Sequence, residues 1–356
     1  MLGFLAEDIQ PAAGSSASRQ VFWDRTPIPN VSLDATGLVA LADLTTIALR
    51  TVLTGNSCLL DVLVLCPGLH RQQSAPELNG GEYAACGSMT SGYVIRVENP
   101  ATVVFLQKAS RTAHLTTLRV TSSKTESGLK QLLGLVYSFQ NTSFISSTAY
   151  LFAVSMTIAA LVLLVLADNH WGIGVFCILI LARLLNIVVI RRRAQPGWFG
   201  AAEPGVQGDL LILLSQDRWV RMKGSVDDLK TVTSGQWLRD PTFFESSLSA
   251  LATLLVYLDA ALASNVDQAG NFLLFVLLIA SAGVLAVANE YTKILQMHGR
   301  VIQVVASDKD LSGKFNRRLT MVNILIKKMG RDDWAERMGM TADAKTDRKV
   351  EKIVAM

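Results

Sequence analysis

Four histidines and four cysteines are the residues from which a metal site or a covalent catalyst would be built, so their spacing comes first. His70, His114, His170 and His298 form neither H-x-x-H nor H-E-x-x-H, so the paired imidazoles of a zincin helix are missing. None is followed by an acidic residue four or five positions on, which also excludes an acyltransferase-like His/Asp box. Cys58, Cys66, Cys86 and Cys177 contain no C-x-x-C pair and read as reduced thiols. Gly87-Ser88-Met89-Thr90-Ser91-Gly92 is rich in glycine and serine, but a phosphate cradle sits between a strand and a helix N-terminus and carries a Lys-Ser/Thr pair. This run leads into a predicted strand and reads as a linker. There is no G-x-S-x-G elbow. The sequence therefore offers no catalytic residue, no metal ligand set and no cofactor site, and an enzyme is not the first expectation.

The more informative polar residues stand inside apolar runs, where a charge is costly and faces a partner or a water path. They are Arg183 and Asn186 in one run, and Glu245 and Asp259 in another. Arg183 lies seven residues before Ile190, about 10 Å along a helix at 1.5 Å per residue, within reach of a snorkelling side chain. Glu245 enters near the same boundary, so an Arg183–Glu245 pair is expected. Asp259, five residues from the far end, is expected to reach the headgroups. Pairing and snorkelling are the simpler reading of all four, and an ion or proton path is the sharper one.

The elements that position these residues are two apolar hairpins. Phe144–Ala167 and Trp171–Ile190 are each long enough for a hydrocarbon core of about 30 Å, and Ala167-Asp168-Asn169-His170 is their tip. Phe243–Ser264 and Asn271–Ala288 make the second hairpin, with its tip at Asn265-Val266-Asp267-Gln268. Arg191-Arg192-Arg193, Arg239, Lys293 and Arg300 flank the open ends, and neither tip has a lysine or arginine. Basic flanks stay cytosolic, so residues 1–143, 191–242 and 289–356, with both termini, are expected in the cytosol. That placement removes Asn30-Val31-Ser32 and Asn141-Thr142-Ser143 from glycosylation despite their matching pattern. Met1–Gln20 has acidic residues and no basic stretch ahead of an apolar run, so a cleaved signal peptide is not expected.

The expected fold class is an integral membrane α-helical protein, four transmembrane helices in two hairpins, with a composite α+β cytosolic module. Residues 1–30 are expected to be disordered, with a small, polar Ala12–Ser16 run and Pro27 and Pro29. Residues 31–143 are expected to form a cytosolic α+β domain. In it Thr36–Thr54 reads as one buried amphipathic helix with Asp43, Arg50 and Thr54 on a wet edge, because those charges make a fifth span costly. Cys58–Leu65 reads as a core strand and Pro67–Gly80 as a loop. Tyr93–Glu98, Thr102–Gln107 and Leu115–Thr121 read as strands, with a turn at Asn99-Pro100, and Ser127–Gln140 as a helix.

The 191–242 insert reads as a β-hairpin, Asp209–Ser215 and Arg218–Lys223 about Gln216-Asp217, followed by a helix that Ser225 caps. In the 289–356 region, Phe315, Leu319, Val322, Leu325 and Met329 follow helical spacing beside Arg317, Arg318, Lys327 and Lys328. Such a helix packs on the domain or lies on anionic lipid.

The run Asp217-Arg218-Trp219-Val220-Arg221, with Val226-Asp227-Asp228-Leu229-Lys230 and Ser234-Gly235-Gln236-Trp237-Leu238-Arg239, resembles a segment of uncharacterised multi-pass membrane proteins of filamentous fungi. The resemblance covers the second half of the chain and implies a lineage, without an activity or site residues. The leading functional expectation is a membrane scaffold, adaptor or regulatory subunit. An oligomeric channel or transporter and a lipid-modifying enzyme are the alternatives. The expected partners are the bilayer and a second copy or protein at the Ala282/Ala286 face, where small residues allow close helix approach. Nucleic acid is not expected. Apolar stretches of about 18–20 residues suit the thin endoplasmic reticulum bilayer better than a thick plasma membrane.

Overall fold

The computed structural model describes residues 37–122, 143–305 and 313–341. Four of its helices are long and apolar enough to cross a membrane. They are α4 (Phe144–Leu166), α5 (His170–Arg193), α7 (Phe243–Leu262) and α8 (Gln268–Glu290). The α4–α5 tip is capped by Asn169, whose side chain accepts from Gly172 N, and the α7–α8 tip by Asp267, which accepts from Gly270 N. Asn169 Nδ2 also donates to Asp267, so the two tips are tied together. The helices pack across the hairpins rather than within them, α4 against α8 and α5 against α7.

Between these pairs lies the segment 37–79, which the sequence placed in the domain. It begins with α1 (Gly37–Ala40), which touches both α7 and α8. Contact is so close that a Cβ on Gly37 would stand 2.5 Å from the Ala260 carbonyl oxygen. The expected single helix over Thr36–Thr54 is broken at 41–45, beside Asp43, and resumes as α2 (Thr46–Thr54). Gly55 (φ 68°) then turns the chain, and its carbonyl accepts from the Trp237 indole at 2.8 Å. From there the chain turns back among the helices. The expected strand Cys58–Leu65 is instead a 3-10 turn, Leu59–Leu63, packed on α4 and α5. The expected loop 67–80 is largely a second one, Leu69–Asn79, packed on α5 and α7. Val64, Leu65, Cys66 and Leu69 share one apolar core with Tyr150, Leu179, Val256 and Leu277. Short apolar runs do not distinguish strand from buried helix, and here the helices around them decide.

The rest of the described chain builds one mixed sheet in the order β2-β1-β4-β5-β3-β7-β6, with β8 on β3. Its strands are β1 (Ala85–Ser88), β2 (Val94–Arg96), β3 (His114–Ser122), β4 (Gln207–Leu214), β5 (Arg218–Ser225), β6 (Ile294–Met297), β7 (Arg300–Val304) and β8 (Gly313–Lys314). All three segments outside the hairpins contribute: β3 runs parallel to β5 and antiparallel to β7. The module is composite in the literal sense that no one segment holds its own sheet. The sequence found β2 to β5 in outline, whereas β1, β6, β7 and β8 were unforeseen.

One expected strand is a helix. Thr102–Gln107 lies within α3 (Pro100–Ala109), because Asn99 is an N-cap, its side chain accepting from Thr102 N at 3.2 Å, and Pro100 is the first helical residue. Its β-branched residues are buried, so packing outweighs their strand preference. Facing the hairpins, α2, α3 and α6 (Val226–Thr233, capped by Ser225) cover Leu118, Val120, Ile212, Val220 and Met222. On the outer face, α9 (Arg318–Met329) and α10 (Asp333–Arg337) set Met321, Val322, Leu325 and Trp334 against Leu115, Leu211 and Trp219. The C-terminal amphipathic helix therefore packs on the domain. The expected helix Ser127–Gln140 and the 1–30 segment lie outside the described residues.

Candidate functional site

The polar residues of the long helices converge on the inserted segment. Arg183 is 1 % exposed, and its Nε donates to the Asp61 backbone carbonyl at 3.0 Å. Nη1 of the same guanidinium has no hydrogen-bond partner among the described residues. One turn on, Asn186 Nδ2 donates to the Leu69 carbonyl at 3.3 Å, and its Oδ1 accepts from Gln73 at 3.0 Å. Arg191 Nη1 donates to the Ser57 carbonyl at 3.0 Å, and Arg193 Nη1 to Gln73 Oε1 at 3.1 Å. Four side chains of α5 thus fasten residues 57–73. The expected snorkelling of Arg183 does not occur, and the expected Arg183–Glu245 pair does not form. A carbonyl in the dipping turn takes the arginine instead.

Asp61 is the centre of this cluster. Its Oδ1 accepts from the Tyr150 hydroxyl at 2.7 Å and its Oδ2 from the Cys58 backbone N–H at 2.8 Å. Cys58 Sγ is 3.3 Å from the same hydroxyl. A thiol, a phenol and a carboxylate in contact invite a catalytic reading, but both carboxylate oxygens are already engaged, by the Tyr150 hydroxyl and the Cys58 N–H. Arg50 places its guanidinium carbon 5.0 Å from the Tyr150 ring centroid and donates to Thr292 Oγ1 at 3.2 Å. The expected wet edge of this helix is therefore buried at Arg50, which is 5 % exposed.

Glu245 is fully buried and held by charge. Arg239 donates to both of its oxygens, at 2.8 and 2.6 Å, and Arg192 approaches at 3.3 Å. Glu245 also closes a capping box with Thr242, which starts α7. Asp259 differs from the other three. It does not reach outward: it is 0 % exposed, and neither carboxyl oxygen has a hydrogen-bond partner among the described residues. It shares the buried face of α7 with Ala252 and Val256.

Two further expected features divide. Ala282 is buried in the core shared with α4, whereas Ala286 is exposed and Gly283 has open space around it. The proposed small-residue face is thus split between the chain's interior and its outside. His170 and Asp168 are exposed at the tip. Among the described residues, no three His, Cys, Asp or Glu side chains group as a metal site.

No protein-family model, curated protein or solved structure matches the chain.

The sequence singled out Arg183, Asn186, Glu245 and Asp259, and it missed the partners of the first three, Asp61, Leu69, Gln73 and Arg239. One signal was present. Ser146, Tyr150, Ala153 and Thr157 recur at helical spacing on α4, marking a polar-tolerant face that something other than lipid had to cover.

Proposed function

We propose that the protein is a multi-pass membrane scaffold, adaptor or regulatory subunit without catalytic activity, which displays the composite sheet domain at the cytosolic face of an endomembrane. The observation that supports this reading is the use made of α5: Arg183, Asn186, Arg191 and Arg193 each donate to residues 57–73. Polar groups committed to backbone carbonyls and a glutamine hold structure together; a conduction path needs such groups turned toward an opening. The orientation follows from Arg191–Arg193 beside one hairpin end and tips without lysine or arginine.

A second reading, an oligomeric channel or transporter, draws on Asp259, whose carboxyl is buried with both oxygens unbonded. Flux of ions or small solutes across reconstituted vesicles, against empty vesicles, separates the two. The scaffold reading expects no specific flux. Reproducible wild-type flux that Arg183→Glu or Asp259→Asn alters, with assembly intact, overturns it.

A further inference from the structure

We infer that Gly37–Thr54 is a fifth, broken crossing of the membrane, so that the chain reaches Gly37 from the face of the hairpin tips.

The inference rests on where the ends of this short segment are fixed. Gly37 is pressed onto Ala260 and Ala263; a Cβ there would stand 2.7 Å from Ala263 Cβ. Those residues are the last turn of α7 and the start of its tip. Thr46 is fixed at the other end, its carbonyl accepting from Asn289 Nδ2 at 2.9 Å, one residue before α8 stops. Gly55, which ends α2, lies against the sheet: a Cβ there would meet the Gln296 carbonyl oxygen in β6. Between these points Ala40 and Ile47 are buried in the apolar core of the hairpins. Residues 37–54 thus run from the tips of the second hairpin to the domain, alongside α8.

The charges that made such a span costly in the sequence are individually answered. Arg50 has the Tyr150 ring and Thr292. Asp43, in the break, is paired with Arg71 from the second 3-10 turn, both side chains about half exposed. The break at 41–45 falls where Gly68 N donates to the Ala40 carbonyl at 3.4 Å, so another part of the chain takes over a backbone group that helix would have satisfied. Irregular backbone survives at such a depth only with help of this kind. The charge rule does not oppose the crossing. Ahead of Gly37 the basic residues are Arg19 and Arg25 alone, whereas Arg191–Arg193 follow one hairpin directly.

This topology changes what the molecule can connect. The sheet domain meets cytosolic partners, while Gly37 stands at the face turned to the opposite compartment.

The test uses the full chain in sealed microsomes, with one epitope tag at the amino terminus and another at the carboxyl terminus. Protease is added outside, in preparations where a soluble lumenal marker stays intact. A protected amino-terminal tag with a digested carboxyl-terminal tag is the expected result. Digestion of both tags overturns the inference and restores a four-crossing chain, and so does a mixed population at the amino terminus. The scaffold reading stands or falls separately on flux.

Discussion

Nε of Arg183 donates to the backbone carbonyl of Asp61 at 3.0 Å, joining the middle of a spanning-length helix to the 3-10 turn packed on it. Arg183→Leu removes that donor and a buried charge together. An unsatisfied buried carbonyl costs about 1–3 kcal/mol, while removing the charge eases insertion by roughly 2.5–3.5 kcal/mol on translocon scales. Insertion is therefore expected to be undiminished and the thermal midpoint of the purified protein lowered. Arg183→Gln, which keeps a donor, should fall between. Equal midpoints for all three would show that the contact holds nothing.

At the domain end, Glu245 separates its two arginines. Arg239 makes two short charged hydrogen bonds, and Arg192, with its side chain 61 % exposed, makes one longer contact. Exposed pairs contribute about 0–1 kcal/mol and charged hydrogen bonds about 1.5–3 kcal/mol. Arg239→Ala should thus destabilise clearly more than Arg192→Ala in denaturant melts. The reverse order would refute the assignment.

The spanning helices, the β4–β5 hairpin and the Ser225 cap were legible because each is specified locally, by run length, alternation or a capping side chain. The inserted segment was hidden for a physical reason. Asp43, Arg50 and Asp61 count against burial when their partners are unknown, and those partners, Arg71, Tyr150 and Thr292, come from 28 to 242 residues away. Glu245 differs, because its arginine at 239 is close in sequence, yet Arg183 looked nearer along the helices. Strands β6 and β7 escaped notice because they are short and the pairing of β7 with β3 spans the whole hairpin region.

The β4–β5 turn carries strain that can be relieved. Gln216 and Asp217 both have positive φ, 61° and 52°, as a two-residue type I′ turn requires, and neither is glycine. Gln216→Asn suits the left-handed region and leaves Asp217, whose carbonyl accepts from Ala113 N, in place. A gain of about 0.5–1 kcal/mol in unfolding free energy is expected. A loss would mean that the glutamine side chain has a role its contacts do not reveal.

The β6–β7 turn provides a pH dependence. His298 has φ 49°, and its Nε2 lies 3.1 Å from the Gln236 carbonyl oxygen. Burial, assisted by Arg300 and opposed by the Gln236 contact, lowers its pKa below the ordinary 6.5. A folded value below the unfolded one means the unfolded chain binds the proton more readily. The contribution is present above pH about 6.5 and is lost as the pH falls through the folded value. His298→Asn, tolerant of the same backbone, should flatten the stability profile between pH 7.5 and 5. An unchanged slope would place the titration elsewhere.

Hydrogen exchange of the protein in lipid nanodiscs, followed on peptides covering residues 57–73, tests the central claim most directly. This stretch has little regular helix, so it is protected only if it sits among the long helices and α5 holds it there. The account predicts slow exchange in the wild type and faster exchange in Arg183→Leu combined with Asn186→Ala, with β4 and β5 unaffected. Wild-type exchange over 57–73 as fast as that of an exposed loop would contradict it.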